Sequence, residues 1–401
     1  FSLVGGGAMF LNDAFGHREE LNVLYNQHEQ ACSMAAEGYV RATGKMAAVC
    51  VTTGPGGTNA ITGVLGAYQD NYPMIVISGQ VRYETTSMST GLPLRFMGEQ
   101  EHNIIDTVRP LTKYVVMVTK PEDIRYELEK AIWIATTGRK GPCWIDIPMN
   151  IQSGMIDSEE LKSFVPNVEV EDWNKDVLVE ELRKAKRPVI LAGSALRSNG
   201  CIEQFRKLSE KLGIPILAAT YNADLLSPEQ TYYYGNFGIN GGRAGNFMVQ
   251  SADLIIGLGC RMTYRQIGYN YEAFSPNSRK VIVDVDENEL KKPTLQIDVP
   301  ICTDLKNVLD YLEHLDYQYE DTCGWIAYCD TLKQKFPVYL EKFDKSAMVN
   351  PYYFFKILQQ QLSDDSIVVL GNSSIAGHVL QLGIQKPQQR IINNMNCGSM
   401  G

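Results

Sequence analysis

AAVCVTTGPGGTNAITGVLGAYQDNYPMIVIS, residues 47–78, decides the fold class. It opens on a short apolar run, 47–52, that reads as a strand buried on both faces. Gly54-Pro55-Gly56-Gly57 breaks the run, and residues 58–70 carry the small-residue spacing of a helix. A second apolar run, 74–78, reads as the next strand. Strand, glycine turn, helix and strand make a crossover unit, the only short route from one strand to a parallel neighbour.

The same alternation continues outward. Residues 124–136 read as a helix and 143–147 (CWIDI) as a strand ending at Pro148. An acidic, proline-containing stretch at 151–175 reads as a linker. Strands follow at 188–192, 215–219, 253–257 and 280–284, with helices between them. A third start is the helix of PYYFFKILQQQL, followed by a strand at 367–370 and the turn GNSS. The expectation is an α/β chain of three consecutive doubly wound parallel-sheet domains, over 1–165, 176–320 and 345–401, the third truncated. FSLVGGG reads as the tail of a strand entering a turn, and NCGSMG stops inside a glycine turn. The intact protein is therefore expected to extend beyond both ends.

The 401 residues are 44% hydrophobic and carry a formal net charge of −9. That balance disfavours nucleic acid or an anionic membrane surface as a partner. No apolar run has the length of a membrane span. The 9 cysteines are scattered, odd in number and without a C-x-x-C pair. They read as reduced thiols of a cytoplasmic protein. The 5 histidines form no H-E-x-x-H, and no G-x-S-x-G, G-x-G-x-x-G or G-x-x-x-x-G-K-[ST] occurs. Asp284 and Asp286, at the end of a strand, suit ribose hydroxyls or a helix cap equally.

LYNQHEQACSMAAEGYVRATGK, residues 24–45, places one acid, Glu29, in the first turn of a helix that stops at Gly44. Ala31, Met34, Ala35, Gly38, Tyr39 and Ala42 share one small apolar face of it. An acid in a first turn complements the helix dipole, which is the plain explanation of Glu29. The other explanation is a working acid.

Together, HEQ…AAEGYVRATGK…VCVTTGPGGTNAITGVLGAYQDNYPMIVISGQV, VRPLTKY…GRKGPCWIDIP, SADLIIGLGCRMTYRQIG, KVIVDVDENEL and NCGSMG resemble the thiamine diphosphate enzymes of the acetolactate synthase group. The resemblance implies pyrimidine-binding, central and diphosphate-binding domains in that order. It implies that Glu29 hydrogen-bonds N1′ of the cofactor aminopyrimidine and promotes the imino form that takes the C2 proton. It implies that Gly54, Pro55, Gly56 and Asn59 line the pyrimidine site. The Gly398 carbonyl would accept from the 4′-amino group, and Met400 would wedge the cofactor into its bent form. Gly5, Gly6 and Gly7 would border the reacting carbon, and Gln100 would stand near the substrate. Val4 stands where the synthases carry proline and Gly7 where they carry alanine, so the acceptor is open.

The implied reaction is decarboxylation of a 2-oxo acid, pyruvate by expectation, with transfer of the two-carbon unit to a carbonyl acceptor. Alternatives are another acceptor such as a keto-sugar or aldehyde, simple decarboxylation, and a non-catalytic nucleotide- or flavin-binding relic. The resemblance also implies a homodimer or dimer of dimers with active sites between subunits. It implies Mg²⁺ on a G-D-G segment, which these residues do not contain. Arg261 and Arg265 fall where synthases hold FAD, and structural ion pairs are the other reading of them.

Overall fold

A computed structural model describes residues 1–167 and 172–399. The described residues up to 167, with 396–399, form one compact unit, and residues 172–395 form a second.

In the first unit, β1 (Ala47–Val51), β2 (Met74–Gln80), β3 (Tyr114–Met117) and β4 (Pro142–Pro148) form a parallel sheet in the order β1-β2-β4-β3. Successive residues point to opposite faces, so each strand feeds two cores. Val49, Val51, Met74, Val76 and Trp144 pack with Cys32, Ala36, Val40, Val64 and Ala67 on one face. Ile75, Cys143, Ile145 and Ile147 pack with Ala131 and Ala135 on the other. The helices concerned are α2 (Glu29–Thr43) and α4 (Ile61–Asp70) on the first face and Ile124–Thr136 on the second. The expected helix 58–70 is interrupted, with a short α3 (Pro55–Asn59) preceding α4. Near the start, a 3₁₀ turn, Gly6–Ala8, leads into α1 (Met9–Gly16), and only Ser2 makes strand-like bridges, to Tyr25 and Cys50.

The buried face of α2 is offset from its small apolar face. Glu29, Cys32, Ser33, Ala36, Glu37 and Val40 are buried, while Ala31 and Tyr39 are exposed. Two glycines of α4 allow this. A Cβ on Gly63 would stand 2.6 Å from the Met34 nitrogen, and one on Gly66 would stand 2.8 Å from Glu37 Oε2. The helices therefore pack backbone to backbone. The acid this buries is paired, since Arg41 bonds Glu37 at 2.5 Å, also bonds Asp70, and lies 4.3 Å over the Tyr72 ring.

The second unit carries a six-stranded parallel sheet. Its strands are β5 (Pro188–Ala192), β6 (Ile216–Ala219), β7 (Tyr233–Phe237), β8 (Leu254–Leu258), β9 (Arg279–Asp284) and β10 (Val299–Cys302). The order β10-β9-β8-β5-β6-β7 reverses between β8 and β5, as in doubly wound folds. In the third segment β11 (Ile367–Leu370) and β12 (Arg390–Asn393) pair in parallel beside helices Pro351–Gln361 and Ser374–Leu382. Phe355, Val379, Leu380, Ile384 and Ile391 share a core with Ala223. Asp224 fastens the contact, accepting from Arg390 Nε at 2.6 Å and from the Ile391 N–H at 3.2 Å. No helix among the described residues is long and apolar enough to cross a membrane.

Candidate active site

Parallel sheets gather loops at the carboxyl ends of their strands, and β1 does so here. Ser2 donates its N–H to the Leu24 carbonyl at 2.9 Å and accepts from the Asn26 N–H at 3.0 Å. Its hydroxyl donates to the Cys50 carbonyl at 3.2 Å. Residues 2–7, the approach to α2 and the end of β1 are thus tied together. His28 caps α2, its Nδ1 accepting from the Gln30 N–H at 3.1 Å. Glu29, the first helical residue, is 9% exposed.

Asn59, at the end of α3, donates Nδ2 to Glu29 Oε2 at 3.0 Å. Glu29 Oε1 has no hydrogen-bond partner among the described residues. A Cβ on Gly56 would lie 3.6 Å from it and 2.8 Å from Thr52 Cγ2, so Gly56 and the Thr52 side chain border that side of the niche. Gly54 has φ +59, and a Cβ there would stand 2.2 Å from the Gln100 carbonyl oxygen. Pro55 occupies the first position of α3. Glu29, Gly54, Pro55, Gly56 and Asn59, expected together from sequence, therefore do meet. A carboxylate with one oxygen fixed and one free, beside glycine backbone, fits a flat nitrogen heterocycle.

The three glycines before α1 differ from one another. A Cβ on Gly5 would meet Thr52 at 2.5 Å, and one on Gly7 would meet Thr53 Oγ1 at 1.9 Å. A Cβ on Gly6 would meet nothing within 4 Å. Gly5 and Gly7 thus serve packing against the turn after β1, where Gly7 N–H also donates to Thr52 Oγ1 at 3.1 Å. Of the three, Gly6 is the one whose removed side chain leaves open space. Gln100 is exposed, with a left-handed φ of +63.

Residues 396–399 lie against α4 in the same unit. Asn396 donates to Asp70, and the Cys397 thiol is 3.8 Å from the Thr62 carbonyl. Gly398 has φ +68, the turn conformation that favours glycine. Met400 lies outside the described residues.

Sequence reasoning missed a buried polar chain under this site. Asp146, wholly buried on β4, accepts from Ser78 Oγ at 2.5 Å and from Gln80 Nε2 at 3.1 Å. Trp144 Nε1 donates to the same Ser78 hydroxyl at 2.8 Å. The signal was present, because one carboxylate inside CWIDIP contradicts an otherwise apolar strand. Burial pushes this carboxyl up to about 7, against the Ser78 and Gln80 bonds that hold it down. The folded state therefore holds the proton more tightly than the unfolded chain, whose carboxyl titrates near about 3.9. The stabilisation is complete below that value and is lost as pH rises through about 7. Asp146→Asn is expected to flatten the rise in stability between about pH 7 and pH 4. Urea unfolding at a series of pH values measures it.

Glu101 is the second missed carboxylate, accepting from the Ser87 N–H and hydroxyl and from the Met97 N–H. Burial pushes its pKa up, but these donors and the Gly98 N–H outweigh it and hold the carboxyl below its usual range.

In the second unit Arg261 Nε lies 3.4 Å from Glu289 Oε1, and the Lys292 ammonium bonds the Arg261 carbonyl. The cavity they line with Cys260, Asp284 and Thr294 is about 10 Å³, room for one water. At the β5/β8 switch a Cβ on Gly193 would stand 1.9 Å from the Gly259 carbonyl oxygen, so the strand ends close on each other. Arg265 Nε donates to the Tyr264 hydroxyl at 3.0 Å. Among the described residues no group of three or more His, Cys, Asp or Glu could hold a metal ion.

The sequence was compared with known proteins. The family description "Thiamine pyrophosphate enzyme, N-terminal TPP binding domain" matches residues 1–107, and "Thiamine pyrophosphate enzyme, central domain" matches 176–312. The chain is 30% identical over 406 residues to the acetolactate synthase large subunit of Lactococcus lactis subsp. lactis, covering 100% of this chain and 68% of that protein. It is 32% identical over 378 residues to a probable acetolactate synthase large subunit of Methanocaldococcus jannaschii, covering 91% and 61%. It is 32% identical over 317 residues to the acetolactate synthase large subunit of Haemophilus influenzae, covering 77% and 54%. The chain thus spans between about half and about two thirds of the length of these relatives.

Proposed function

Given that the chain belongs to the thiamine pyrophosphate enzymes, in the acetolactate synthase large-subunit family, we propose that it decarboxylates a 2-oxo acid and joins the resulting two-carbon unit to a carbonyl acceptor. Pyruvate is the expected donor. The observation that carries this reading is the Glu29 niche, where one carboxylate oxygen is held by Asn59 and the other, beside Gly56, accepts no hydrogen bond among the described residues. When bound, thiamine diphosphate supplies the carbon nucleophile and the electron sink for decarboxylation.

The protein's own work is local. Glu29 holds or gives a proton at a ring nitrogen through Oε1, while Asn59 fixes the carboxylate plane through Oε2. Gly54 and Gly56 let the turn pack closely against the Gln100 carbonyl and the Thr52 side chain, which sets the turn beside Glu29. Gly6 leaves space beside them for the reacting groups. Val4, 63% exposed, stands where the synthases carry proline, so the acceptor is written only as a carbonyl compound.

Magnesium as the diphosphate counter-ion, a dimer with active sites between subunits, and a cytoplasmic location belong to the same reading. The exposed apolar residues Met9, Phe10, Leu24 and Tyr25, close in sequence to the site, support the dimer. Nine scattered cysteines without a C-x-x-C pair support a reducing compartment. No step of this reading needs a flavin. The test is to incubate the full protein with pyruvate, thiamine diphosphate and Mg²⁺ and to analyse the products by mass spectrometry. The expected result is CO₂ with a pyruvate-derived ligation product. CO₂ release with no ligation product, alone or with added aldehydes and keto-sugars, rejects the carboligase.

A further inference from the structure

The residues between Ser87 and Glu101 form a loop whose tip is apolar and exposed, with Leu92, Leu94 and Phe96 facing solvent. Its two ends nevertheless meet on one side chain. Glu101, 9% exposed, accepts at Oε1 from the Ser87 N–H at 2.9 Å and the Ser87 hydroxyl at 2.6 Å. Its Oε2 accepts from the Met97 N–H at 2.7 Å. The Glu101 N–H closes the same turn onto the Gly98 carbonyl at 3.2 Å. Gly98 is pressed against the other end of the loop, since a Cβ there would stand 2.7 Å from the Thr85 carbonyl oxygen.

A second anchor follows directly. Gln80, 1% exposed, donates Nε2 to the His102 carbonyl at 2.9 Å and to Asp146 at 3.1 Å. Directly before Glu101 lies Gln100, held at φ +63, a conformation side-chain-bearing residues rarely adopt. In that conformation its carbonyl lies against the Cα of Gly54, the turn that opens α3. A left-handed residue on an exposed loop persists only where its surroundings hold it.

We propose that Glu101 is a positioning residue for the reaction: its carboxylate clasps the base of loop 87–101 and so keeps Gln100 seated on Gly54, forming the substrate-side wall of the Glu29 niche. The proposal rests on the functional reading above and extends it to a residue that touches neither cofactor nor substrate. Without the clasp, Met97 and Ser87 lose a charged acceptor, the turn at Gly98 opens, and Gln100 relaxes out of its left-handed conformation. The substrate wall then loosens while the Glu29–Asn59 pair, held by α2 and α3, stays in place.

The test compares the full wild-type protein with Glu101→Ala, Glu101→Gln and the milder Ser87→Ala. Amide hydrogen exchange over 87–101, read without ligands, is expected to rise roughly tenfold in Glu101→Ala. Smaller rises are expected in the other two. With thiamine diphosphate, Mg²⁺ and pyruvate, KM is expected to rise roughly tenfold in Glu101→Ala. Proton exchange at C2 of the bound cofactor should stay within about twofold of wild type, a split that general destabilisation does not produce. Unchanged amide exchange over 87–101 overturns the proposal, as does a loosened loop with unchanged KM. If Glu101→Ala does not fold, Ser87→Ala decides by the same two readouts. Absence of C2 exchange in wild type sinks the functional reading and this proposal with it. Its presence alongside an unchanged KM sinks this proposal alone.

Discussion

Glu29→Gln is expected to leave thiamine diphosphate binding intact and to lower turnover by about 10²- to 10⁴-fold. The amide matches the carboxylate in shape, and its oxygen can still accept from Asn59 Nδ2, which now bonds Oε2 at 3.0 Å. What it loses is the ability to hold or give a proton at the position of Oε1. A purely structural helix-start acid would behave differently. At the first position of α2 the gain from the helix dipole is worth about 0.3–1 kcal/mol, so its loss would shift stability slightly and spare turnover. Isothermal titration with the cofactor and steady-state kinetics on the full protein separate the two outcomes.

Gly54→Ala is expected to destabilise the first unit by about 4 kcal/mol and to abolish cofactor binding. Two effects add. The backbone at Gly54 has φ +59 and ψ −112, a region closed to residues with a Cβ. The new methyl would also stand 2.2 Å from the Gln100 carbonyl oxygen, a backbone atom that cannot rotate away. Gly6→Ala is the internal control, because its Cβ meets nothing within 4 Å. Urea unfolding followed by circular dichroism should show a large loss for Gly54→Ala and almost none for Gly6→Ala.

The stretch 47–78 was legible because its signals are local. Two apolar runs flank a glycine turn, and β1 and β2 start at the residues those runs name. What escaped was set by partners far away in sequence. Tyr114–Met117 is half-buried and packs mainly beside β4. Tyr233–Phe237 carries Gly235 and Asn236, and Val299–Cys302 carries Pro300, residues that argue locally against a strand. The packed face of α2 was not legible for a similar reason. Ser33 and Glu37 look like solvent residues until Gly63 and Gly66 bring α4 close and Arg41 pairs the acid. At the site, Glu29, Asn59 and the glycine turn were legible as a motif. Glu101, Gln80 and Asp146 were not, because their meaning lies in hydrogen bonds that no spacing rule encodes.

The central claim is that Glu29 serves proton transfer on a bound thiazolium cofactor. Hydrogen–deuterium exchange at C2 of thiamine diphosphate, followed by NMR on the full protein with Mg²⁺, tests it most directly. Wild type is predicted to accelerate exchange over the free cofactor, and Glu29→Gln to exchange at least about a hundredfold more slowly than wild type while still binding the cofactor. Equal exchange rates in the two proteins would contradict the account.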